Sequence, residues 1–237
     1  MLAVSATADV GASSPQNDVL AGTICAYTPS RPGIGAYRVS LTAAGSDADG
    51  SPTRCTFIAG GTAILENADL RTGGGADSNA PNIQYQIAEA IVAPGQKLTL
   101  NFFGNAGDIE YHVLIEVADE DEVVGGLGHS MRLGAGTHLN ALSGTLIGTL
   151  PGEGAWEVDV VFAASDRTDC YMSLLCDSDP VLDNASPVQA TASGAFPFPA
   201  HLTIATFLCH GGATLGANVI VPTGDSAWLW LFAQRVA

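Results

Sequence analysis

The sequence predicts an all-β protein: two tandem antiparallel β-sandwiches, jelly-roll-like, arising from an internal duplication. Three observations carry that expectation. Apolar residues alternate with polar ones in many short runs, and no segment holds a helical period. Turn formers such as Gly60-Gly61 and Pro94-Gly95 punctuate the runs. The same motifs return in the same order at offsets from 104 to 122 residues.

The elements follow in order. A strand near 22–28 rests on Gly22-Thr23-Ile24, which returns near 144–150 as Gly144-Thr145-Leu146, with Pro29 returning as Pro151. The next, near 35–43, alternates Tyr37, Val39 and Leu41; its counterpart near 155–163 alternates Trp156, Val158 and Val160. Strands near 54–59 and 62–66 follow, the second marked by Leu65-Glu66-Asn67-Ala68 and matched by Leu182-Asp183-Asn184-Ala185. Strands near 83–92 and 97–103 come next, with Leu98-Thr99-Leu100 matched to Leu202-Thr203-Ile204. Further strands of the second copy fall near 170–175, 196–199, 201–208 and 217–221. Each copy closes on an aromatic strand, near 109–118 and 227–236. There GDIEYHVLI faces GDSAWLWLF, pairing Tyr111, Val113 and Ile115 with Trp228, Trp230 and Phe232.

Five matches in one order exceed what chance alternation supplies, and they define a unit of about 115 residues, an ordinary domain size. The expected organisation is an N-terminal arm over 1–21, a first sandwich over 22–118, a linker over 119–136 and a second sandwich over 137–237. The arm is polar and rich in small residues, so alone it should be disordered. The linker is placed where Asp119-Glu120-Asp121-Glu122 runs into Val123-Val124-Gly125-Gly126.

Three stretches carry a resemblance: Pro32 to Leu41, Pro94 to Leu100, and Tyr111 to Val117. Their order is similar to that of small jelly-roll domains of the tumour-necrosis-factor-like kind. The strand pattern itself also suits Ig-like and other Greek-key sandwiches or a barrel. In composition the chain resembles tailed-phage virion proteins, above all capsid decoration (cement) proteins: Ala, Gly, Thr and acidic residues dominate, and Lys97 is the only lysine. That resemblance implies a non-enzymatic virion protein whose partners are a major capsid protein or other virion subunits, and a homo-oligomer, with a trimer favoured.

Charge bounds the partners. With 24 acidic and 8 basic residues the net charge is −16, which repels phosphate backbones, so nucleic acid is not expected as a partner. No apolar run has the length of a membrane helix, and the N-terminus lacks the basic start of a secretory signal, so no membrane partner is expected. Five cysteines, an odd number without a CxxC, read as reduced buried thiols; a Cys170–Cys176 bridge is the local alternative.

No catalytic, cofactor or metal site is expected. Gly224-Asp225-Ser226 resembles an esterase start, but its partner Gly107-Asp108-Ile109 has no serine, and a turn explains both. Gly128-His129-Ser130 does not follow a strand in this reading. Asp47-Ala48-Asp49-Gly50 opens like a calcium loop, yet its twelfth position is Ile58, not a glutamate. Asp177-Ser178-Asp179 is similarly short of ligands. His112, His129, His138, His201 and His210 are scattered, and zinc wants a tighter cluster.

The closing strand is the functional candidate. In W-L-W-L-F, Trp228, Trp230 and Phe232 fall on one face and Leu229 and Leu231 on the other. Both faces are apolar, so one should meet the core and the other a second surface, either a subunit or a domain. The alternative is a carbohydrate- or receptor-binding module in which the tryptophans stack on sugar.

Overall fold

The computed structural model describes residues 3–11, 15–47, 54–70, 85–103, 106–119, 123–164, 169–189 and 204–237. Among these residues the fold is all-β, with one 3-10 turn, Leu146–Gly148. The first half supplies β1 (Ala3–Gly11), β2 (Tyr37–Asp47), β3 (Arg54–Ala59), β4 (Thr62–Asp69), β5 (Tyr85–Val92), β6 (Leu98–Phe103) and β7 (Ala106–Val117). The second supplies β8 (Gly126–His138), β9 (Ala155–Ala164), β10 (Tyr171–Cys176), β11 (Asp179–Ala185), β12 (Val188–Gln189), β13 (Ala205–His210) and β14 (Leu215–Arg235).

The pairing order is that of a jelly roll, and it occurs twice. In the first half one sheet runs β1-β7-β2-β5. The opposing layer runs β4-β3-β6 and is extended by Gln16, which pairs with Phe102. Counting the Gln16 segment as the second of eight strands, the two layers read first-eighth-third-sixth and second-seventh-fourth-fifth, two interlocked Greek keys. In the second half β8, β14, β9 and β13 form the first layer. There β11, β10 and the start of β14 form the opposing layer, extended by His138 beside Val219. Thus β14 serves both layers: residues 215–220 pair with β10, and 227–235 with β9. A register shift between Val221 and Ser226 marks where the strand turns from one layer to the other.

The correspondence extends to single hydrogen bonds. In the β3–β4 hairpin Cys55 faces Ala68 and Phe57 faces Leu65; in the β10–β11 hairpin Met172 faces Ala185 and Leu174 faces Leu182, each 117 residues on. Both hairpins turn through two residues of positive φ, Gly60-Gly61 and Asp177-Ser178, the backbone that a two-residue hairpin requires. Asn67 and Asn184 both take positive φ, and their N–H groups donate to Thr56 Oγ1 (3.1 Å) and Ser173 Oγ (3.2 Å). Asn101 Oδ1 accepts from the Asp18 N–H, as Asn218 Oδ1 accepts from the Asn140 N–H.

Buried apolar side chains form a separate core between the layers of each half. One gathers Tyr37, Val39, Leu41, Phe57, Leu100, Phe102, Tyr111 and Val113; the other Trp156, Val158, Val160, Phe162, Met172, Leu174, Leu229 and Leu231. Tyr37 and Trp156 hold equivalent places in them.

The structure departs from the sequence reading at several points. Residues 22–28 and 144–150 form turns, not continuous strands, and each ends in a single antiparallel bridge, Tyr27 with Lys97 and Thr149 with Thr214. Gly22 and Gly144 take positive φ, and the Thr23 and Thr145 hydroxyls close the turns by donating to the Leu20 and Leu142 carbonyls. The stretch assigned to an arm contains β1, paired along β7. The stretch assigned to the linker contains most of β8, which holds the same place beside β14. Glycines and small residues masked the alternation in both.

Residues 215–217 pair with β10 as β6 pairs with β3; of the match expected at 202–204, residues 202 and 203 lie outside the described residues. The closing strands are out of phase by one residue. Tyr111, Val113 and Ile115 correspond in position to Leu229, Leu231 and Ala233, because these face the β9 residues equivalent to those of β2. A one-residue slip exchanges the faces of a strand. The expected strand at 196–199, the Asp49-Gly50 turn and His201 lie outside the described residues.

Candidate functional site

The candidate begins with the alternation of β14. Leu229 and Leu231 point into the second core, while Trp228 and Trp230 form a separate apolar cluster with Ala163 on the opposite face. Val161 and Phe232 pack at its margin, half-buried. The two indoles stack, with ring centroids 5.7 Å apart and planes inclined by 15°. The Arg132 guanidinium lies 5.6 Å from the Trp228 ring, a cation–π distance. Trp228 and Trp230 are only 2% and 5% exposed, so within this one chain the rings are packed and do not form an open platform.

The neighbouring strand brings this face to the first half. Across from Phe232, Trp230 and Trp228 stand Gly128, Ser130 and Arg132 of β8. Strand β8 runs against β4 and β5, with Leu65 beside Gly128 in parallel pairing. The approach is close because side chains are missing. A Cβ on Gly126 would lie 2.7 Å from both Ala90 Cα and the Glu89 carbonyl oxygen. One on Gly128 would lie 3.0 Å from the Ile87 carbonyl oxygen.

Polar groups at the seam are paired around Asp69 at the end of β4. Its Oδ1 accepts from Arg54 Nε (2.8 Å), its Oδ2 from the Arg132 N–H (3.0 Å), and its carbonyl from the Ser130 hydroxyl (2.9 Å). The Gly125 N–H donates to the Ile91 carbonyl at 3.0 Å. His129 is buried beside this clamp. Desolvation pushes its pKa down to about 4, against the opposing pull of the Asp69 charge and a hydrogen bond to the Glu66 backbone.

Sequence reasoning singled out the tryptophans, set Ser130 aside with Gly128 and His129 as part of a linker, and missed Asp69, Arg54 and Arg132. The available signal was Gly126, Gly128 and Ser130 at alternate positions, a strand face cut down to admit another backbone. The other motifs resolve into structure. His129 and Ser130 are buried within β8. Gly224 has positive φ inside β14. The Asp177 carboxylate accepts from His210 Nε2 (2.7 Å) and the Thr214 N–H (2.8 Å), fixing a turn. Among the described residues no three His, Cys, Asp or Glu side chains gather as metal ligands. Cys176 lies beside Cys209 rather than Cys170.

No family model matches the chain, and no curated protein matches it. Among solved structures it is similar to the major capsid protein P2 of bacteriophage PM2, at 9% identity and a TM-score of 0.33 over 98% of both chains. It is also similar to the STIV MCP, at 10% identity and a TM-score of 0.31, covering 98% of this chain and 97% of that one. A third likeness is to peptide:N-glycanase F, at 7% identity and a TM-score of 0.34, covering 98% and 96%.

Proposed function

We propose that the chain is a non-enzymatic structural protein of a virion, joined to an icosahedral capsid through protein–protein contacts as a decorating or cementing subunit. The observation that carries this reading is the architecture. One chain holds two rolls of the same strand order, and its most distinctive side chains are committed to packing rather than presented to solvent. Jelly rolls recur in capsid and lectin domains, so the order narrows the class while the site decides within it. An internal duplication accounts for the shared registers and turns. The net charge of −16 keeps free subunits apart until specific contacts form. The partners in this reading are a major capsid protein or other virion subunits and further copies of the chain, a trimer being favoured.

The duplication also favours a second reading within the class. Two equivalent rolls offer two similar sets of edges, which suits a subunit that builds the shell itself. A glycan-binding module is disfavoured by the burial of Trp228 and Trp230. Removing the gene from the virus that carries it separates these. A decorating subunit predicts shells that form but break more readily, and a shell subunit predicts no particles. Shells of normal yield and strength, with glycan binding by the purified chain, would overturn both structural readings.

A further inference from the structure

The second roll carries a pair of thiols that the first lacks. Cys176 ends β10, and Cys209 lies in β13, so the two belong to opposite layers of the same roll. Their Sγ atoms are 2.9 Å apart, although the residues are separated by 33 positions. Both thiols are free. At the equivalent places in the first roll, 117 residues earlier, stand Ala59 and Val92, both buried and apolar. The difference is therefore paired: where one layer has gained a sulfur, the facing layer has gained one too. The surrounding turns hold the two layers together at this spot. The Asp177 N–H donates to the Thr214 carbonyl at 2.8 Å. His210, next to Cys209, is bonded through Nε2 to Asp177 and through Nδ1 to the Gly211 carbonyl. Two acceptors on one imidazole call for both ring nitrogens to be protonated, making an Asp–His ion pair beside the sulfurs.

We propose that Cys176 and Cys209 form a reversible disulfide that ties the two layers of the second roll. Cys176 is half-buried and Cys209 nearly enclosed, so Cys176 reacts first. Its thiolate attacks a small-molecule disulfide, RSSR, forming a mixed disulfide and releasing one thiolate RS⁻. The Cys209 thiolate then attacks the Cys176 sulfur, closing the bridge and releasing the second RS⁻. The two protein thiols lose two protons and two electrons, and RSSR is reduced to two thiols. The closed bridge constrains the unfolded chain, so the oxidised protein should melt at a higher temperature, roughly 5 °C or more above the reduced one.

The test equilibrates the full chain with reduced or oxidised glutathione, blocks free thiols, and maps peptides without reduction. The expected result is a Cys176–Cys209 linked peptide in the oxidised sample only, together with the raised Tm. A double variant, Cys176→Ala with Cys209→Val, copies the first roll; it should fold and melt at the same temperature in both buffers. Complete alkylation of both cysteines after oxidation, a Cys170–Cys176 linkage, or a redox-dependent Tm retained by the double variant would overturn the proposal.

Discussion

Asn67 and Asn184 were legible as a repeated motif, but not as residues in a strained conformation. Both have positive φ, at 47° and 50°, where asparagine is tolerated and alanine is not. Replacing either with alanine should cost about 1 kcal/mol, and replacement with glycine much less; urea denaturation of the four variants checks this. His129 sets a pH dependence. Its pKa in the fold, about 4, lies below its unfolded value, so the unfolded chain takes up the proton first. Its contribution is complete above about pH 6.5 and is lost as pH falls toward 4, by about 3 kcal/mol in all. His129→Gln should flatten the stability profile across that window relative to the parent. Parallel profiles would remove His129 from the account. The sequence names this histidine but not its burial, because its environment is set by Glu66 and Asp69 of β4, some sixty residues away.

Among elements, β8 and β14 carry the junction. The alternation of β14 was readable, including which residues share a face. Its phase relative to β7 was not, since aromatic residues occupy the inner face of one strand and the outer face of the other. Size drew the wrong equivalence where register decides. Strand β8 escaped notice because Gly126 and Gly128 look like linker, whereas they are strand residues trimmed for contact with β5. Gly126→Ala should therefore destabilise the protein by about 1–3 kcal/mol through overpacking. Gly134→Ala, at a place with nothing within 4 Å, serves as the comparison and should change little. Trp230→Ala removes half of the indole stack and should cost about 3–5 kcal/mol by calorimetry or denaturant titration, as a buried ring lost from a packed layer does.

For the whole molecule, period and punctuation were enough to predict an all-β sandwich fold. They could not reveal that β1 and β8 open the two rolls, because those strands are recognised by their partners and not by their own residues. The same limit applies to the thiol pair, which only the crossing of β10 and β13 brings together. We propose that this architecture serves as a building part of a virus particle. Quantitative mass spectrometry of purified particles, calibrated against the major shell protein, tests it most directly. The chain should be present at many copies per particle, in a fixed ratio to the shell protein. Its absence from intact particles, or its presence only at trace level, would rule out a building role in the particle.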